Sequence, residues 1–243
     1  MSHREMIREQ HRRRERRQRI IVIAVVVIAA LVITFFLVWP SIQPIGEITV
    51  PAFPSMPTDK VPADTPAAGD PNAPVRLDIW EDFQCPACQN FTLNIEPDLV
   101  KSYVATGKVY LVFHSFAFID SDVSGGSESH AAAQAAYCAM DQGQFWKYHD
   151  MLFNNQSASG ENTGAFTDRR LAAFAEKINL NMTQFNDCYS SGKYKQRVLD
   201  EFQQGTTLGI DSTPSFFVND KHIVLQSSYD ELTQAIDAAL QGK

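Results

Sequence analysis

Twenty consecutive residues, Ile20 to Trp39 (IIVIAVVVIAALVITFFLVW), carry no charge and a single hydroxyl, that of Thr34. Inside hydrocarbon every backbone N–H and C=O must be satisfied within the segment, which leaves a helix as the form open to such a run. About twenty residues also match the thickness of a bilayer core. The nineteen residues before the run hold eight arginines against three glutamates (net +5), and none of the residues after it is Lys or Arg until Lys60. By the positive-inside rule, residues 1–19 are a basic cytoplasmic tail, 20–39 a transmembrane helix, and everything beyond is exported across the cell membrane. A cleaved signal peptide fits less well, because the run exceeds the usual apolar length and no small-x-small site follows VWPSIQP. Topology and contact with anionic lipid explain the basic tail without a nucleic-acid partner. The overall charge of −7 hides this split, since the remainder holds 13 basic against 25 acidic residues (net −12).

Nine of the twelve prolines lie between Pro40 and Pro74. Proline removes a backbone donor and fixes φ, so residues 40–74 read as a semi-extended linker with neither a regular helix nor a central strand.

From Val75 the pattern becomes that of a compact domain, 75–243. VRLDIWEDF alternates and is rich in β-branched and aromatic residues, so it reads as a strand running into Cys85. PACQNFTLNIEPDLVKSYVATG reads as a helix with Pro86 at its first position, a kink before Pro97 and a stop at Gly107. KVYLVFHSFAF is a second, nearly continuous apolar strand. Strand, helix, strand implies a right-handed crossover and a parallel pair. A helical region follows, about 125–208, broken at Gly143, NNQSASGENTG, NLN and SSG. PSFFVNDKHIVLQ reads as a hairpin turning at Asn219-Asp220, and SSYDELTQAIDAALQG as a closing helix.

Four cysteines are present: Cys85, Cys88, Cys138 and Cys188. A zinc site commonly needs two close pairs, and only Cys85 and Cys88 are close, so no metal is expected. A bridge across two residues closes too small a loop to stabilise a fold appreciably. Redox chemistry accounts for the pair better. Cys85 sits where a strand delivers the chain to a helix N-terminus, so unpaired amides and the helix dipole favour its thiolate. Cys88, one turn further in, is expected to be less exposed, with a higher pKa, and to resolve mixed disulfides. Cys138 and Cys188, an even number in an exported segment, are expected to form a structural disulfide.

The blocks DIWEDFQCPACQNF, AAAQAAYCAMDQGQFWKYHDMLF and LGIDSTPSFFVND together resemble the DsbA family of extracytoplasmic thiol-disulfide oxidoreductases, in the membrane-tethered form similar to BdbD. The likeness covers about Val75 to Lys243. It implies an α/β, thioredoxin-like fold with an inserted helical domain, here preceded by one transmembrane helix. It also implies that Cys85 and Cys88 are the redox pair. Thr213 and Pro214 then form a cis-proline loop, whose strand lies beside the one leading to Cys85 and whose backbone meets an extended substrate. The partners implied are exported proteins with reduced cysteines and a quinone-coupled membrane reoxidase, similar to DsbB or to vitamin K epoxide reductase; no cofactor is implied in the chain itself. The same residues run in reverse would make a tethered reductase or isomerase, and a client-binding module with incidental cysteines is a reading of another class.

Many thioredoxin-like chains place an acid six residues before the first cysteine, where it moves protons at the buried thiol. Here that place is Ile79. Of the nearer acids Glu81 and Asp82, Asp82 is the candidate for electrostatic tuning. His114, His130 and His149 have no partner at telling spacing and read as structural or exposed rather than catalytic.

Overall fold

The computed structural model describes residues 3–42, 44–225 and 228–242. Two compact units divide the chain, Met1–Gly46 and Glu47–Lys243. The first is a single helix, α1 (His3–Ile42). Within it Arg12–Trp39 is the one stretch, among the described residues, long and apolar enough to cross a membrane. Its Ile, Val, Leu and Phe side chains stand exposed.

Among the described residues, the second unit is built on five strands, β1 (Ala67–Ala68), β2 (Val75–Glu81), β3 (Val109–Ser115), β4 (Ser215–Val218) and β5 (Lys221–Ile223). They form one sheet in the order β1-β3-β2-β4-β5. β2 and β3 run parallel and the other pairs antiparallel. The crossover from β2 to β3 holds α2 (Pro86–Asn94), α3 (Glu96–Leu99) and a π-helical turn, Val100–Val104. Pro97 explains the break at Ile95, because its ring lacks an N–H and collides with the carbonyl of the preceding turn. Asn219 and Asp220 have φ of 48° and 65°. Such a pair closes a two-residue turn whose twist matches the flanking strands β4 and β5.

Between β3 and β4 lie α4 (Ile119–Asp122), α5 (Glu128–Met140), α6 (Phe145–Asn154), α7 (Asp168–Lys177), α8 (Met182–Ser190) and α9 (Lys195–Thr207). The closing helix is α10 (Asp230–Leu240). A disulfide between Cys138 of α5 and Cys188 of α8 ties two of the inserted helices together. Buried Glu201 of α9 accepts hydrogen bonds from the Tyr137 hydroxyl of α5 and from the Ser115 amide at 3.0 Å, joining the insertion to the sheet.

Side chains alternate across a strand. Leu77, Ile79, Leu111, Phe113, Phe216 and Val218 therefore join one core, with Phe91 of α2 and Leu232 and Ile236 of α10. Trp80, Phe116 and Phe217 lie in a second, smaller cluster with Ile210, against which Phe202 of α9 packs. Gly205 allows the close approach of α9, since a Cβ there would sit 2.5 Å from the Phe116 ring.

The proline-rich stretch differs from the expected linker. Thr49 exchanges two hydrogen bonds with the Asn155 side chain, at 2.8 and 2.7 Å, and Ile48, Phe53 and Met56 pack against the core. The Gly69 amide reaches the Pro57 carbonyl at 2.7 Å, and β1 pairs with β3. From Glu47 onward the segment is a strap held on the domain, not a spacer. Proline excludes helix and ladder bonding, but the apolar residues between the prolines still gain from burial in extended chain.

Candidate active site

β2 ends at Glu81 and a tight turn carries the chain to α2. The Cys85 amide donates to the Asp82 carbonyl at 3.0 Å, and Cys85 takes the N-cap position with extended backbone, φ −71° and ψ 121°. Pro86 fits the first helical position, where no amide bond is forfeited. Cys85 is 7% exposed and Cys88 is fully buried. Both are free thiols.

Ile79 pairs with Phe216 and Trp80 with Ser215. This register puts the residues just before β4 beside the mouth of α2. The Thr213-Pro214 bond is cis, and Cys85 Sγ lies 3.3 Å from the Thr213 carbonyl oxygen. The Thr213 hydroxyl is buried without a partner of its own and lies near enough to lower both thiols. A hydrogen bond from the Cys88 thiol, the Thr213 hydroxyl and the amides of Cys88 and Ala87 outweigh burial and bring the Cys85 thiol down to about 6. Burial, the bond to Cys85 and the charge of Glu81 push the Cys88 thiol well above its ordinary value. The two sulfurs are thus poised as an exposed-side anion and a buried-side thiol.

Asp82 is not among the leading influences on either sulfur. Its carboxylate accepts from the Gln84 amide at 2.8 Å, the Ser129 hydroxyl at 2.6 Å and the Ile119 amide at 3.1 Å. Burial nonetheless pushes it up to about 7. Those bonds hold the cysteine loop against α4 and α5. Gln84 continues the tie, donating to Ser129 and Asp120, and the Gln156 side chain donates to the carbonyls of Phe83 and Cys85. A cleft of about 50 Å³ lies beside this loop, lined by Gln84, Pro86, Gln156, Gly160 and Phe166 among others.

Glu81, not Asp82, is the acid whose charge reaches Cys88. The reason is strand alternation: Glu81 shares the core face with Leu77 and Ile79, whereas Asp82 lies past the strand in the turn. The acid is displaced one strand step from the Ile79 place. Burial raises the Glu81 carboxyl. Its partner is His149 of α6, wholly buried, whose Nε2 lies 3.3 Å from Glu81 and whose Nδ1 lies 3.1 Å from Asp150. The period-2 pattern of β2 already pointed Glu81 inward; nothing in spacing linked it to a histidine 68 positions away. His114 and His130 pair elsewhere, with Asp78 at 2.6 Å and Asp120 at 2.8 Å.

A thioredoxin family model matches residues 62–238. The chain belongs to the thioredoxin family. Within it the chain is similar to DsbA-like proteins. A probable disulfide bond formation protein D of Bacillus anthracis is 31% identical over 175 residues, covering 71% of this chain and 77% of that protein. Disulfide bond formation protein D of Bacillus subtilis is 29% identical over 182 residues, covering 73% and 78%. The crystal structure of oxidised BdbD from Bacillus subtilis superposes with a TM-score of 0.65 at 25% identity, covering 79% of this chain and 99% of that one. The protein is accordingly a DsbA-like thiol-disulfide oxidoreductase.

In this thioredoxin-family member the cysteines divide cleanly, one pair bridged between helices and one pair free at the mouth of α2. Among the described residues one group has metal-ligand spacing, Glu96, His149 and Asp150, with ligand atoms within 4.8 Å. Each His149 ring nitrogen already faces a carboxylate, which makes the group a buried ion-pair cluster.

Proposed function

We propose that the chain is a membrane-anchored dithiol oxidase, with its N-terminus in the cytoplasm, that donates disulfides to exported proteins through Cys85 and Cys88. The observation that carries this reading is the asymmetry of the pair beside Thr213: a Cys85 thiol lowered to about 6 and a Cys88 thiol raised by burial.

In the oxidised pair, a client thiolate attacks Cys85 Sγ, the sulfur nearer the surface. The Cys85–Cys88 bond breaks and Cys88 leaves as a thiolate. That anion is buried and strongly basic, so it takes a proton, and Glu81, whose charge reaches Cys88, would give it. A second client thiolate attacks the client sulfur of the mixed disulfide, and Cys85 departs as a stabilised thiolate. The client has lost two electrons and the pair has gained them. A quinone-coupled membrane protein similar to DsbB or vitamin K epoxide reductase would take these electrons away. Thr213 and Pro214, packed against Cys85, would hold the client backbone, and the strap from Glu47 would keep the domain joined to α1.

The test is oxidation of a reduced, unfolded model protein by the preoxidised full chain in detergent. One equivalent of disulfide is expected to transfer, and Cys85→Ser to abolish transfer. Unchanged thiol oxidation by Cys85→Ser would end the proposal.

A further inference from the structure

Beneath Cys88 lies a cluster that the exchange chemistry above leaves unexplained. Glu81 of β2, His149 and Asp150 of α6 and Glu96 of α3 are each less than a tenth exposed. Five aromatic rings, those of Phe83, Phe113, Phe145, Trp146 and Phe153, surround the imidazole, all with centroids within 6.0 Å. His149 makes one contact on each ring nitrogen, Nε2 to Glu81 Oε2 and Nδ1 to Asp150 Oδ1. The other Glu81 oxygen, Oε1, is buried with no hydrogen-bond partner. Asp150 is the outer member, with a side chain 10% exposed against none for His149 and 1% for Glu81.

We propose that His149 is a proton-relay and positioning residue for the thiol exchange, handing its Nε2 proton to Glu81 as Glu81 protonates Cys88, with Asp150 fixing the ring at Nδ1. This rests on Cys85 and Cys88 being the redox pair.

An imidazolium between two carboxylates can give up the proton on one nitrogen while the proton on the other stays bonded and fixes the ring. In the oxidase direction Glu81 gives its proton to the departing Cys88 thiolate. His149, charged and so protonated at both nitrogens, then releases its Nε2 proton to Glu81 and keeps the Nδ1 proton held by Asp150, and the neutral ring regains a proton at Nε2 from solvent. In the reverse direction the Cys88 proton leaves by the same path. No electrons move through the cluster.

Electrostatics agree with this placement. The ionisable groups facing His149 are Asp150 on its own helix, Glu81 from β2 and Glu96 from α3, while Cys88 of α2 faces Glu81. Burial opposes a charged ring, but hydrogen bonds to Asp150 and Glu81 overcome it and raise His149 to about 10. Burial raises Glu96 to about 8 and raises Glu81 as well. A charged imidazole beside two carboxyls raised by burial, Glu81 and Glu96, keeps a proton within reach of Glu81. A structural ion pair would need only one acid for one base.

The test uses the full chain in detergent, with dithiothreitol opening the Cys85–Cys88 disulfide from pH 5 to 9. Rates are corrected for attacker thiolate, and iodoacetamide alkylation reports the Cys85 midpoint separately. General acid assistance contributes about a hundredfold or more, so His149→Gln should slow opening on that scale and Asp150→Asn about tenfold, with the Cys85 midpoint unmoved. Asp150→Asn keeps its volume at the rim of the cluster, so it decides the matter even if His149→Gln fails to fold. A wild-type pH–rate profile in Asp150→Asn would overturn the relay; so would a slowing that merely tracks a shifted Cys85 midpoint. Cys85→Ser separates the two claims: if it still transfers disulfides, the redox pair itself is misassigned.

Discussion

Cys88→Ala tests what holds Cys85 as an anion. The leading cause of the low Cys85 pKa is the hydrogen bond from the Cys88 thiol, ahead of the Thr213 hydroxyl and the amides of Cys88 and Ala87. A hydrogen bond to a charged group contributes about 1.5–3 kcal/mol, and one pKa unit corresponds to about 1.4 kcal/mol. With Cys85 only 7% exposed, solvent screening takes little from that figure. Removing the donor should therefore lift the midpoint from about 6 to about 7–8. At pH 7 the thiolate fraction then falls from about 90% to between about 50% and 10%. Thiolate absorbance near the far-ultraviolet thiol band, or the pH dependence of iodoacetamide alkylation, reads this directly. Alanine is a good helix former, so α2 should persist. Cys88→Ser supplies a control, because its hydroxyl can still donate and should leave the midpoint near the wild-type value. A midpoint that stayed at about 6 in Cys88→Ala would refute this reasoning and assign the effect to the amides and Thr213.

Thr213→Val replaces the buried hydroxyl by a methyl and should raise the Cys85 midpoint by about one unit, measured by the same alkylation profile. Glu96 has a folded-state pKa raised from 4.5 to about 8. The unfolded chain releases that proton first, so wild-type stability falls as pH rises from about 4.5 to about 8, at up to about 1.4 kcal/mol per unit. Glu96→Gln should therefore gain on wild type across that window in urea melts, and match it below pH 4. Gly205→Ala would add about 1 kcal/mol of helix propensity in an open helix, but its Cβ would strike the ring of Phe116, so the melting temperature should drop. Opening the Cys138–Cys188 bridge by a double Ser substitution frees a loop spanning a separation of 50 residues. The chain-entropy estimate is a loss of about 4 kcal/mol, readable by denaturant unfolding with Cys85 and Cys88 kept reduced.

Local signals in the sequence carried much of the fold. Alternation in VRLDIWE, Pro86 at the helix start, Pro97 as a break and Asn219-Asp220 as a turn each act over a few residues, and each corresponds to an element in the structure. The grouping of Cys85 and Cys88 with Thr213 and Pro214 could be expected only from the DsbA resemblance, because it depends on a strand order that brings two distant segments together. What could not be read is held by long-range burial. Glu81 and His149 meet across 68 positions inside an aromatic enclosure, and no period in either segment encodes the meeting. Asp82 looked the better tuner because it lies nearer the cysteines along the chain, yet its oxygens are spent on Gln84, Ser129 and Ile119. The strap from Glu47 was obscured by its prolines. Composition reports that such a stretch cannot be helical, and says nothing about whether its Ile48, Phe53 and Met56 find a surface to cover.

The reduction potential of the Cys85–Cys88 pair, set against glutathione buffers with the full chain in detergent, bears most directly on the proposed direction of electron flow. Thiolate stabilisation in the reduced form predicts a value above the about −270 mV of thioredoxin, on the side of a disulfide donor. A value at or below about −270 mV would contradict a disulfide donor and make the pair a reductant.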